Sequence, residues 1–343
     1  MNIKGIIGTV LMFMVITSCS KESFIGELPN ETGAFTLSFT MSEDVETKAT
    51  EEAGQVKDNA DGYKYSTEKE LNINNCYIAI FAKGPDDGDD AWTQKVLIQK
   101  YTEGTGLNIS KVGSFSVAGI SLPIKTRLKV LVIANFPEDD EDIPDSYIAW
   151  KEKTVSYNSE VNDSYYTFNP ETLIKVGEDE IMFNSQSDKK TIRLKQLSAK
   201  ISLNLDLADG SFNTFKLSEV RIKNVGNESK LFTPSSSATT AEYFHKLVAE
   251  SGVEKIDGIC FYTYARSKVG SDDLALTVQL TGVWGKGSAF NTTSNQFDLH
   301  LNKSSAIETG NYYEVKGTLQ QNISSIKIYI KDWNTESVGV SYN

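Results

Sequence analysis

Short runs in which apolar and polar residues alternate with period two recur along most of this 343-residue chain, separated by turn-forming clusters. That pattern, more than any other feature, limits what the chain can fold into. Each run is the signature of a strand with one face in a core and one outside. Phe35, Leu37, Phe39 and Met41 alternate with Thr36, Ser38 and Thr40. Further runs cover 71–84, 94–101, 126–137, 189–207, 215–225, 258–265, 273–284, 311–319, 325–333 and 336–343. In 126–137 the positions between Leu128, Val130, Val132 and Ala134 include Leu131 and Ile133, so that strand is apolar on both faces and belongs in the middle of a sheet. Residues 189–207 read as one long strand or two collinear ones. The segment Thr240–Ser251 is the one stretch that reads as a short helix. Many short strands joined by turns predict an all-β sandwich, and the length accommodates two in tandem.

The N-terminus has a different character. One charge, Lys4, precedes an apolar run from Ile6 to Ile16, and Thr17, Ser18 and Cys19 follow. The run has the length of a signal-peptide core and is too short to span a bilayer. Small residues followed by Cys match a bacterial lipobox, which predicts removal of 1–18, a lipid on Cys19 and export to an outer membrane. Residues 20–34 are a polar tether. Ser42–Ser66 is polar and aperiodic, the composition of a mobile linker.

Chemistry is sparse. The formal charge of −12 argues against nucleic acid, which needs basic patches. No nucleophile elbow, phosphate loop or dinucleotide fingerprint is present, so no catalytic residue, metal or cofactor is assigned. The two His residues, His245 and His300, lack partners at metal-ligand spacing, and His300 reads as a strand-surface residue. The acidic runs Asp86–Asp90 and Glu138–Asp142 read as solvated turns rather than calcium loops. Cys76 and Cys260 lie inside apolar strand patterns, which favours free thiols, while export permits a disulfide. Trp92, Trp150 and Trp284 are either core residues or, if exposed together, a platform for sugars; Trp333 reads as a core residue.

The order and spacing of the lipobox, "ETKATEE" (46–52), "NNCYIAIF" (74–81), "LKVLVIANFP" (128–137), "LKQLSAKISL" (194–203) and the closing strands resemble the FimA-type fimbrillins of the Bacteroidetes over nearly the whole chain. The resemblance implies two transthyretin-like β-sandwiches behind a propeptide of 19–48; the onset of a new regular pattern at 189 puts the boundary near Ser187, giving domains at 49–187 and 188–343. It also implies a cut between Lys48 and Ala49 and polymerisation by strand exchange. The residue before the cut is commonly Arg in that family; an arginine-only protease would not cut after Lys48. Physically, a strand held by a cleavable linker is lost after one cut, and a bare sheet edge then templates another strand. Phe35, Leu37, Phe39 and Met41 would be displaced, and Val338, Val340 and Tyr342 of a neighbour would replace them. The tail is expected to be free in the monomer. The expected function is a fimbrial subunit supporting adhesion, not an enzyme. Its partners would be other subunits, a processing protease, the outer-membrane lipid and a surface receptor. The alternatives are a tip subunit or a surface glycan-binding lipoprotein.

Overall fold

The computed structural model describes residues 30–41, 67–84, 88, 91–102, 112–123, 125–137, 142–157, 166–183, 189–207, 214–234, 240–247, 252–286, 289–320, 325–332 and 337–341. The chain is all-β, as its alternation predicts. Its strands are β1 (Asn30–Met41), β2 (Asn75–Ala82), β3 (Gln94–Thr102), β4 (Val112–Pro123), β5 (Thr126–Ala134), β6 (Thr154–Ser156), β7 (Lys175–Phe183), β8 (Lys189–Gln196), β9 (Ala199–Leu207), β10 (Thr214–Gly226), β11 (Glu228–Lys230), β12 (Thr240–Lys246), β13 (Lys255–Ile256), β14 (Cys260–Thr263), β15 (Thr277–Lys286), β16 (Ala289–Phe290), β17 (Asn295–His300), β18 (Asn311–Leu319), β19 (Ser325–Asp332) and β20 (Ser337–Ser341). Two short helices, α1 (Glu68–Leu71) and α2 (Tyr147–Glu152), interrupt them.

The first half is ordered β3-β2-β5-β7-β8-β1-β4. This path turns a corner between β7 and β8, which meet only at Lys175↔Gln196 and Val176↔Lys195. Gly177 stands next to the corner, where a Cβ would lie 2.5 Å from the Arg193 carbonyl oxygen. A bare backbone there lets β8 cross closely. Beyond the corner, β8-β1-β4 forms the second layer. Cys76, Ile78 and Ile80 of β2 and Leu128, Val130 and Val132 of β5 share a core with Leu122 of β4 and Ile192 and Leu194 of β8. The opposite positions of β2 and β5, among them Phe81, Leu131 and Ile133, enter a second core with Phe136 and Trp150. β5 therefore has both faces buried, as its continuous apolar run requires.

The second half pairs β12-β10-β15, with β16 and β17 on β15, against a sheet ordered β13-β9-β18-β19-β20, with β14 also on β9. Ile201, Leu203 and Leu205 from β9 meet Val220 and Ile222 from β10 and Val278 and Leu280 from β15. That core is continuous with the one behind β2 and β5. The ribbon β6–β11 also joins the halves, pairing Thr154–Ser156 with Glu228–Lys230.

One sequence expectation is narrowed and one changes. The run 189–207 is two strands rather than one, because Leu197 and Ser198 interrupt it, and β8 and β9 join different sheets. The segment read as a helix forms β12 over Thr240–Lys246, because Tyr243 and His245 are buried while Glu242, Phe244 and Lys246 are exposed. That is period two, not 3.6. The expected domain boundary at 187 falls outside the described residues.

Candidate functional site

β1 occupies a slot between two strands, β4 and β8, that do not pair with each other. It runs antiparallel to β4, from Asn30↔Pro123 to Thr40↔Val112, with a register shift between Gly33 and Phe35. It runs parallel to β8 over Thr36↔Lys189 to Met41↔Leu194. Leu37, Phe39 and Met41 stand opposite Lys190, Ile192 and Leu194, and Phe35 stands opposite Val117. Ile192 and Leu194 are fully buried, so the slot borders the first core directly. Among the described strands, β1 is the only hydrogen-bonded neighbour of β4. Emptying the slot would unpair one edge of β8 and detach β4 from the sheet altogether.

The tail expected to be free is a strand of its own subunit. β20 lies antiparallel to β19 at the edge of the second half's sheet, with Val338 opposite Ile330 and Val340 opposite Ile328. Alternating residues that suit a foreign slot equally suit a home edge, and the local pairing satisfies the backbone. β1 and β20 thus belong to different sheets. Cys19 and the signal segment 1–18, the linker 42–66 with Lys48 and Ala49, Trp333 and Tyr342 lie outside the described residues. So do Asp86, Asp87, Asp89, Asp90 and 138–141 of the acidic runs.

The chain leaving the linker is clamped at α1, which the sequence reading missed. Thr67 and Glu70 form a reciprocal cap: the Thr67 hydroxyl accepts from the Glu70 amide, and Glu70 Oε2 accepts from the Thr67 amide at 2.8 Å. The Thr-x-x-Glu spacing is a legible signal for this start. Glu70 is buried. Its Oε1 accepts from Lys200 Nζ of β9 at 2.7 Å and from the Tyr262 hydroxyl of β14 at 2.5 Å, and its carbonyl accepts from Gln196 of β8 at 2.8 Å. Burial by itself depresses the Lys200 pKa, but the neighbouring Cys260 and the Glu70 carboxylate together outweigh it and raise it above the ordinary lysine value. Lys175 of β7 donates to the carbonyls of Asn72 (2.8 Å) and Leu173 (2.9 Å). Complete burial pulls its pKa down to about 7, although Glu70 opposes the shift. Asn135, in the left-handed region at φ 57°, donates to the same two carbonyls and accepts from the Asn74 amide. Both halves therefore grip the residues that follow the linker.

A cleft of about 680 Å³ opens beside this clamp, between α1 and the outer face of β9, β14 and β18. Several charges on its walls are paired: Glu70 with Lys200, Glu314 with Lys316 at 3.1 Å, and Lys69 with Glu171 at 3.1 Å; Lys255 and Asp257 also line it. Burial raises the Cys260 thiol to about 11, so it is neutral at pH 7. The thiol in the cleft is therefore not a reactive nucleophile at that pH. Cys76 and Cys260 are free thiols, not a disulfide. Among the described residues no three His, Cys, Asp or Glu side chains stand together as a metal site. His300 is half-buried on β17, with Nδ1 at 2.9 Å from the Thr277 hydroxyl.

The tryptophans do not form a platform. Trp92 is buried beneath Lys83, Arg127 and Lys129, whose cationic groups lie 5.2–5.8 Å from its ring. Trp150 packs edge-on to Phe136, and Trp284 packs against Phe215 and Phe297. All three are core residues at separate places.

No protein-family model matches the sequence, and no curated protein sequence does. Solved structures share the fold. A putative cell adhesion protein from Bacteroides eggerthii superposes with a TM-score of 0.57 at 12% identity, over 92% of this chain and 98% of that one. A putative cell adhesion protein from Parabacteroides distasonis gives 0.56 at 13%, over 90% and 97%. The tip fimbrial protein of Porphyromonas gingivalis, with a C-terminal truncation, gives 0.53 at 10%, over 88% and 100%.

Proposed function

We propose that this chain is a non-enzymatic subunit of a surface fimbria, exported as a lipoprotein through Cys19, cut after Lys48 and polymerised by strand exchange. The observation that carries the reading is the position of β1: an N-terminal strand, separated from α1 by 42–66, that alone among the described strands holds β4 in the first half's second layer. The fold held in common with fimbrial and adhesion proteins supports the same reading. A strand from a second copy would enter between β4 and β8 and bury its apolar side chains there, each stabilising the junction by about 1.5–3 kcal/mol, with the ladder hydrogen bonds in addition. Such a contact does not close on itself and gives a filament. The tail around Val338, Val340 and Tyr342 is the proposed donor. A subunit with a donor strand suits a stalk rather than a tip. The separate, buried tryptophans count against a glycan-binding lipoprotein.

The test is to treat the full chain with a trypsin-like protease, sequence the new N-terminus and image the product. Ala49 should be the first residue, and filaments should appear only after the cut. A cut chain that has released β1 and stays monomeric at high concentration overturns the reading.

A further inference from the structure

β20 is not an appendage. Along one row of the second half's sheet, Val338 follows Ile330, Tyr313 and Ile201; along the next, Val340 follows Ile328, Val315 and Leu203. The inner members Tyr313, Ile201, Val315 and Leu203 are all buried. The pleat places positions 338 and 340 on the same face of the sheet as those core residues. Among the described strands β20 is also the outermost of its sheet, bonded on one side only. It is short, five residues, paired from Lys331↔Ser337 to Lys327↔Ser341.

We propose that β20 is a self-sheathed donor: each subunit stores its exchange strand on its own β19 edge, and assembly requires that strand to peel away first. This rests on the strand-exchange reading and adds a regulatory step to it. The same backbone groups and the same alternating positions cannot serve β19 and a neighbour's slot at once, so home pairing and donation are mutually exclusive. The arrangement slows the assembly of a subunit whose slot has been emptied without preventing it. The two ends of the molecule are thereby gated separately, the slot by removal of β1 and the donor by release of β20. Peeling exposes β19, whose sequence includes Lys327 and Lys331. Lysines on a bare edge discourage indiscriminate pairing, so the vacated edge does not invite aggregation.

Three measurements on the full chain test this. In the uncut monomer, the amides of 337–341 should be protected from hydrogen exchange like those of a paired edge strand. Exchange at the rate of an unstructured tail overturns the proposal. The double variant Ile330→Cys, Val338→Cys places thiols at opposed positions, and oxidation should lock the strand at home. After protease treatment, locking should cut filament growth at least about tenfold, because only the peeled fraction is competent, and reduction should restore it. Growth of the locked protein at the unlocked rate overturns the proposal. A labelled peptide of residues 334–343 separates the two readings. If it binds the cut chain, the tail fits the slot, and the locking result then decides the sheathing. If the peptide fails to bind while filaments still form, the donor lies elsewhere and both readings of the tail fall.

Discussion

Two buried charges at the clamp behave oppositely. Lys200 has a carboxylate 2.7 Å away, so its charge is compensated; Glu70→Gln would leave the cation buried beside an amide and should cost about 3–5 kcal/mol in chemical denaturation. Glu70→Gln combined with Lys200→Met should recover part of that loss, since it removes the uncompensated charge. Lys175 instead meets only carbonyls at hydrogen-bond distance. Its folded pKa of about 7 lies below the ordinary lysine value of 10.5, so above pH 7 the native state holds fewer protons than the unfolded chain. Stability should then rise with pH from about 7 towards 8.5, before unfolded-state thiols ionise, and be flat in this respect below 7. Lys175→Met should remove that slope; a variant that retains it would show that Lys175 stays charged. Neither lysine was legible as buried, since each sits singly among strand residues. Only Glu70 carried a signal, through its spacing from Thr67.

At the scale of elements, β4 depends on β1. When the cut chain loses residues 30–41, the amides of 112–123 should exchange faster, while those of β2 and β5, flanked on both sides, should not change; unchanged protection of β4 would mean that it has another anchor. The strands with strong patterns, such as β5 with its continuous apolar run and β9 with alternating Ile201, Leu203 and Leu205, were readable from the sequence. β7 was not, because Glu178, Asp179 and Glu180 place a charged cluster across its alternation; β5 partners it through Lys129 and Arg127, which pair with Glu178 and Glu180. β12 was misread because "AEYFHK" has good helix formers at its start, and packing against β10 overrode them. The slot followed from the resemblance and from the isolation of 35–41 behind a linker. The stored state of β20 did not, because a pattern of alternating residues states that a face will be buried without stating against which edge.

At the scale of the whole molecule, the two halves share a core and are tied by β6–β11 and by the α1 clamp. They should therefore unfold together: a calorimetric scan of the uncut chain should give one transition, and two resolved transitions would show that the halves are independent. The mixed pairing of β1 has a consequence for anything built from these subunits. It is parallel to β8 and antiparallel to β4, so the slot has a direction as well as a position. A strand inserted backwards would meet the wrong hydrogen-bond geometry on both sides at once. Every junction in a filament would then be oriented alike, and the filament would carry an arrow. One terminus would present a vacant slot and the other an unused strand, so the two tips would differ chemically, capping reagents would be tip-specific, and the point of attachment to the cell would be decided by the sense in which a single strand is laid down.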